Sequence, residues 1–197
     1  MPIKHAIWRI ARSPEPLNEI AMASEQQFED MKDMIVARPG ILSDDWMLIG
    51  RQESTGLGGR IDLLARAPDA SVVLIELKRN QAPRDVVAQA LDYASWVEGL
   101  SPEEIATIYH RFAAGRNLKD DFRTRFGHEL DEEVRNETHQ IVVVASSLDA
   151  STERIVQYLN DRDIAINVLF FQGFQSGSDQ LLSRAWLIEP TEAPLEN

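Results

Sequence analysis

Apolar positions change their spacing several times along this chain, and the changes divide it into elements. Phe28, Met31 and Ile35 recur at helical spacing, Ser24 stands in a capping position with Gln27 three residues on, and Pro39-Gly40 follows. A helix is therefore predicted to open at Ser24 and to end at Pro39. Trp46 to Gln52, Arg60 to Ala67 and Ser71 to Arg79 read as three strands, separated by the glycine-rich turn 54–59 and by Pro68-Asp69. Turns this short predict an antiparallel meander. Helical spacing returns over Asp85 to Glu98, with Val87, Leu91, Ala94 and Glu98 in one narrow arc. Residues 101–138 look helical but polar and irregular. Gln140 to Ser146 is a nearly continuous apolar run, the pattern of a strand buried on both faces. Ser151 is predicted to cap a helix to about Asp161, and Ile164 to Phe171 a strand after it; such a strand–helix–strand unit predicts parallel pairing. Ser183 to Glu189 is a candidate edge strand. The expected fold is one α/β domain with a mixed central sheet.

Composition narrows the class. Of 197 residues, 44% are hydrophobic and 26% charged, and the mean hydropathy is −0.27, values of an ordinary globular domain with enough chain for a real core. There is no cysteine, which excludes disulfides, thiol catalysis and cysteine-based zinc sites. No apolar run has the length of a signal peptide core or a membrane span, so a cytoplasmic protein with no membrane partner is expected. The net charge of −12, from 32 acidic and 20 basic residues, weighs against broad nonspecific binding to phosphates while leaving room for a local basic groove.

The second and third strands carry the candidate chemistry. Alternation puts Ile61, Leu63 and Ala65 on one face of the second strand and Arg60, Asp62 and Leu64 on the other. On the third, Val73, Ile75 and Leu77 share a face, opposite Leu74, Glu76 and Lys78. Charged neighbours inside a run as apolar as VVLIELK are costly to bury without partners. Antiparallel pairing brings Asp62 close to Glu76, and two carboxylates at that range repel unless a divalent cation lies between them. Lys78, on the same face, is placed to act on a water or a phosphate oxygen. The competing structural reading is a partly exposed Asp62–Lys78 ion pair. On the following helix Gln89, Tyr93 and Trp96 form a polar stripe about opposite Val87, Leu91 and Ala94, either a solvent face or a surface that reaches a ligand. Arg79 and Arg84 flank the same mouth and can hold phosphates.

The segment Gly59-Arg60-Ile61-Asp62, followed by Glu76-Leu77-Lys78, resembles the PD-(D/E)XK nuclease superfamily, in particular its RecB-like members and related DNA-repair endonuclease domains. The superfamily pattern is a helix with Glu, a strand with Asp, a strand with Glu-x-Lys and a helix with Gln-x-x-x-Tyr. This chain supplies Glu25, Asp62, Glu76 with Lys78, and Gln89 with Tyr93 in that order. The likeness covers residues 24–97 well and the later strand–helix–strand only in outline. Ile61 stands where many members have proline, a position that varies. The resemblance implies a restriction-endonuclease-like α/β fold over 1–189, with a helical insertion around 101–138 and a flexible tail at 190–197. It also implies a magnesium or manganese ion (Mg2+ or Mn2+) held by Asp62, Glu76, the Leu77 carbonyl and Glu25, with Lys78 and Gln89 as further catalytic groups. Glu29, one turn on, is the rival of Glu25. The activity implied is metal-dependent DNA hydrolysis, in a DNA-repair endonuclease setting and with a homodimer as a further expectation. The alternative is a noncatalytic nuclease-like module that binds nucleic acid or a protein.

Candidate DNA contacts are Arg79, Arg84, Tyr93, Arg111, Arg116 and Lys119. The last three lie in the segment 109–128, where basic residues and aromatics interleave; the competing reading is an ordinary helical pair with its arginines in water. Other chemistries fail on their motifs. Gly56-Leu57-Gly58-Gly59 lacks the Lys-Ser/Thr of a P-loop and opens onto a strand. The four histidines have no metal-ligand spacing, and Ser146-Ser147 has no histidine motif beside it.

Overall fold

The computed structural model of the chain describes residues 8–9, 15–20, 25–56, 58–131 and 138–189, and of residues 8–9, 15–16, 20 and 25–27 the backbone alone. Three short N-terminal strands, β1 (Trp8–Arg9), β2 (Glu15–Pro16) and β3 (Asn18–Ile20), precede helix α1 (Glu25–Ala37). The meander follows as β4 (Met47–Ser54), β5 (Arg60–Arg66) and β6 (Val72–Leu77), then a short β7 (Gln81–Ala82) and α2 (Asp85–Glu98). Helices α3 (Pro102–Phe112) and α4 (Leu118–Phe126) lead to β8 (His139–Ala145), β9 (Ser147–Leu148), α5 (Ala150–Asn160) and the hairpin of β10 (Ile166–Ser176) with β11 (Asp179–Trp186).

The main sheet runs β11-β10-β8-β6-β5-β4, with β3 beside the far end of β10. Its β4-β5-β6 part is antiparallel, as the short turns predict, and β6-β8-β10 is parallel. Met31 and Ile35 of α1 bury one face against Leu63, Ala65, Val73, Ile75, Leu77, Val142 and Val144. The other face packs Leu64, Leu74, Val143 and Val168 against Val86, Ala90 and Val97 of α2 and Val156 of α5. This is an α/β fold with a mixed central sheet flanked by helices, as expected. β6 is buried along its whole length, which is why its one carboxylate stands out. Among the described residues no helix is long and apolar enough to cross a membrane.

The polar region after α2 owes its helices to local signals. Ser101 forms a capping box with Glu104, whose N–H it accepts while Glu104 accepts the Ser101 N–H. Asn117 caps α4, and Gly127 closes it in the left-handed conformation at φ +80°. Ile105 and Ile108 of α3 join the core; a Cβ on Gly50 of β4 would lie 2.8 Å from Ile108 Cγ2, so the strand needs glycine there for α3 to approach.

Four expectations are corrected. Asp149, not Ser151, caps α5, accepting from Ser151 N at 2.8 Å and Thr152 N at 2.9 Å. β10 runs on to Ser176 and β11 begins at Asp179, because the turn at Gly177 (φ +63°) pairs Ser176 with Asp179. Ile61 packs on the α2 side with Leu64 and not with Leu63 and Ala65, since β5–β6 pairing stops at Leu63–Ile75 and the strand beyond leaves the shared pleat. The buried residues of α2 are Val86, Val87, Ala90, Tyr93, Ala94 and Val97, so Val87 and Ala94 are buried as expected while Glu98 is exposed and Leu91 half-buried; Tyr93 therefore belongs to the core side and not to a solvent stripe. Ser24 and the tail 190–197 lie outside the described residues, as does 132–137 of the region read as an insertion.

Candidate active site

The site lies where β5 and β6 stop pairing. Leu63–Ile75 is the last paired position, and two residues on, the Leu77 N–H has no strand carbonyl opposite it and donates to Asp62 Oδ2 at 2.8 Å. In an extended strand a residue's carbonyl points to the same side as its N–H, so the Leu77 carbonyl also faces the Asp62 side. The next N–H, that of Lys78, goes the other way, to the Val144 carbonyl at 2.8 Å. The local parting of the strands thus turns one side chain and one peptide of the sheet into site groups.

Glu76 is 3% exposed. Its Oε1 accepts from Lys78 Nζ at 2.7 Å, while Oε2 is buried with no partner. Burial first, and then the negative charge of Asp62, push the Glu76 carboxyl above its ordinary range, against the opposing effects of Lys78 and of the Asp62 backbone N–H. Lys78 Nζ also donates to Gln89 Oε1 at 2.9 Å, and Gln89 Nε2 donates to the Tyr93 hydroxyl at 2.8 Å. The Tyr93 hydroxyl accepts a second bond, from the Arg60 N–H at 3.1 Å. Glu76, Lys78, Gln89 and Tyr93 therefore form one chain of hydrogen bonds from β6 across α2 to the start of β5. The Asp62–Lys78 pair of the competing reading is not formed: Lys78 pairs with Glu76, and Asp62 Oδ1 lies 3.6 Å from Lys32 Nζ on α1.

Residues 27–109 match the family of the endonuclease NucS C-terminal domain. NucS enzymes belong to the restriction-endonuclease-like PD-(D/E)XK superfamily, so the resemblance to that superfamily is borne out, together with the fold class. The match covers less than half of the chain. Glu25 falls just outside it, and the Glu25 side chain lies outside the described residues. No curated protein matches the chain in sequence. Among solved structures, a repair endonuclease from Pyrococcus abyssi is similar at 18% identity over 76% of this chain, with a TM-score of 0.45. An EndoMS–dsDNA complex is similar at 15% identity over 84% of this chain, with a TM-score of 0.46, and an apo form of EndoMS at 15% over 82%, with 0.42. The chain spans 48% of the length of the Pyrococcus protein and 64% and 62% of the two EndoMS chains.

The donors suit a hard divalent cation. They are the carboxylates of Asp62 and Glu76, the orphaned Glu76 Oε2 among them, and the Leu77 carbonyl on the same side. Among the described residues no group of three or more Asp, Glu, His or Cys side chains forms a metal cage, and magnesium is commonly held by one or two carboxylates with waters and substrate phosphate. Glu29, the rival to Glu25, instead accepts from Lys32 at 3.0 Å.

The candidate DNA contacts separate. Arg79 and Arg84 are exposed, between β6 and α2. Tyr93 is 4% exposed, which corrects its place among surface contacts: it supports Gln89. Arg111 pairs with Glu53, an acid of β4 that sequence spacing does not reveal, and Arg116 with Asp121 inside the segment, so part of the apparent basic excess at 109–128 is matched by acids. Lys119 is exposed in the first turn of α4.

Lys32 is the site residue that the sequence reading missed. Its signal was present: four residues after Phe28 and three before Ile35, it is a lysine inside the apolar stripe of an amphipathic helix.

Proposed function

We propose that this chain is a metal-dependent DNA nuclease domain of the PD-(D/E)XK type, hydrolysing phosphodiester bonds with magnesium or manganese. The observation that carries the reading is the pair Asp62–Glu76, with one Glu76 oxygen buried and unpartnered and Lys78 bonded to the other. A carboxylate that deep is costly unless a cation completes it. Asp62, Glu76 and the Leu77 carbonyl would hold the ion, with Glu25 as the expected addition from α1. A bound divalent ion supplies Lewis-acid polarisation of the phosphate and a more acidic water.

The chain's own residues do the rest. Lys78, steered by Gln89, places a positive charge where the attacking water and the developing phosphorane charge meet. Tyr93 and the Arg60 peptide fix Gln89 and so the reach of Lys78. Arg79 and Arg84 offer guanidinium groups to flanking phosphates. The family match supports an endonuclease in a DNA-repair setting, and the EndoMS structure that contains dsDNA makes duplex DNA the first substrate to test. Cytoplasmic location and a homodimer, which would allow cuts in both strands, are parts of the same proposal.

The test compares wild type with Lys78→Ala on single-stranded, duplex, mismatched and branched DNA in the presence of manganese. Cleavage by wild type alone supports the reading, and identical background traces overturn it. A second reading, a noncatalytic nuclease-like module, is favoured by the net charge of −12 and by the internal pairing of Arg111 and Arg116. DNA or protein binding without any cleavage would support that one.

A further inference from the structure

Each carboxylate of the site has its own lysine. Glu76 has Lys78, and Asp62 has Lys32, which reaches it from α1 across the other face of the sheet. Both lysines also have a second anchor. Lys78 Nζ bonds Gln89 Oε1 at 2.9 Å, and Lys32 Nζ bonds Glu29 Oε1 at 3.0 Å while lying 4.6 Å from the centre of the Phe28 ring. The Lys32 side chain is only 12% exposed and that of Asp62 18%, so their attraction is screened less than that of a surface pair.

We propose that Lys32 is a positioning residue that acts as the exchangeable counter-ion of Asp62 and sets how tightly the site takes a divalent cation. The inference rests on the metal reading of Asp62 and Glu76 given above. The Asp62 carboxylate divides its oxygens between the Leu77 N–H and the Lys32 ammonium. A divalent cation between Asp62 and Glu76 competes with that ammonium for the same carboxylate, because two cations drawn to one carboxylate repel each other at short range. Lys32 need not leave α1 to yield: Glu29 and the face of Phe28 already hold it, so the exchange is a shift of Nζ between two acceptors. The lysine thus keeps Asp62 aimed and its charge matched while the site is empty, at the expense of metal affinity.

The test is calorimetric titration of manganese into wild type, Lys32→Met and Lys32→Arg. Methionine keeps the apolar stem that packs on Phe28 and removes the charge; arginine keeps the charge and controls for damage to α1. Lys32→Met is expected to bind manganese roughly three- to ten-fold more tightly than wild type, with Lys32→Arg close to wild type. Equal or weaker binding by Lys32→Met overturns the proposal. Absence of binding in all three proteins is a different result: it overturns the metal reading itself and this inference with it. A second measurement needs no metal. In chelator, the melting-temperature change caused by Lys32→Met should shrink when Asp62→Asn is also present, because the partner is already gone; fully additive shifts would overturn the pairing.

Discussion

Tyr93 lies against the backbone of Gly59, where an added Cβ would sit 2.5 Å from ring atom Cε1 and 2.8 Å from the Thr55 hydroxyl oxygen. Only glycine lets the ring come this close, and the ring's position carries the hydroxyl that accepts from Gln89 and from the Arg60 N–H. Gly59→Ala is therefore expected to cost about 1–3 kcal/mol through overpacking, read as a lower urea midpoint with unchanged slope. Tyr93→Phe keeps the ring but leaves two donors without their acceptor, at about 1–2 kcal/mol. An unchanged midpoint in Gly59→Ala would mean that the ring yields freely and does not fix Gln89.

A pH effect is expected at a distance from the site. Tyr109 is pushed up to about 12, first by burial and then by its hydrogen bond to Asp121. Asp121 is held below the usual carboxylate range by its bonds from Arg116 and Tyr109. The sign for Tyr109 follows from its proton: between pH 10 and 12 the unfolded chain loses it while the folded chain keeps it, so stability falls as pH rises through that window. For Asp121 the depressed value means stability that is present above the ordinary carboxylate range and lost as pH falls through the lowered one. Ultraviolet titration of the tyrosines should show one phenol ionising near 12, returning toward the ordinary value in Asp121→Asn. A titration unchanged by that substitution would detach Tyr109 from Asp121.

What could be read from the chain, and what could not, follows the range of the interactions. α2 was bounded correctly at both ends because its apolar spacing, Asp85 in the first turn and Gly99 after Glu98 are all local. Asp62, Glu76 and Lys78 were legible because charge on an apolar strand is conspicuous in sequence. The length of β10 was not, since Gln172 and Gln175 break the apolar run and the strand is held there by its pairing with β3 and β11. Nor was the Arg111–Glu53 pair, which joins α3 to β4 across the packing of two elements. Lys32 depended on the same kind of fact, the placement of α1 over the Asp62 end of the sheet.

The salt dependence of DNA binding should reflect this pairing. Each phosphate neutralised contributes about −0.9 to the slope of log K against log salt for duplex DNA. Neutralising Arg79 and Arg84 together is expected to flatten the slope by about 1–2, because both are exposed beside the site. Neutralising Arg111 and Arg116 should change it by less than about 1, since their charges already serve Glu53 and Asp121. A larger effect from the second pair would assign the α3–α4 surface to the DNA.

Lys78 separates catalysis from stability. Its ammonium is the cation bonded to a carboxylate that is 3% exposed, so Lys78→Ala is expected to do two things at once. In chelator it should lower stability by about 1–3 kcal/mol, the usual cost of leaving a buried charged group without its hydrogen-bond partner. Adding Glu76→Gln should recover part of that loss, because the stranded charge is then removed as well. In manganese, Lys78→Ala should recover more melting temperature than wild type does, since the ion supplies the positive charge that Glu76 lost, yet cleavage should fall by roughly 100-fold or more. Gln89→Ala, which frees Lys78 from its second anchor while leaving the charge in place, should lower kcat with little change in KM. Thermal scans and single-turnover cleavage on one set of variants test both halves. If manganese raises the melting temperature of wild type and Lys78→Ala equally, Glu76 is not among the groups that hold the ion; if it restores the fold of Lys78→Ala and cleavage also persists, the lysine is a structural counter-ion and not a catalytic group.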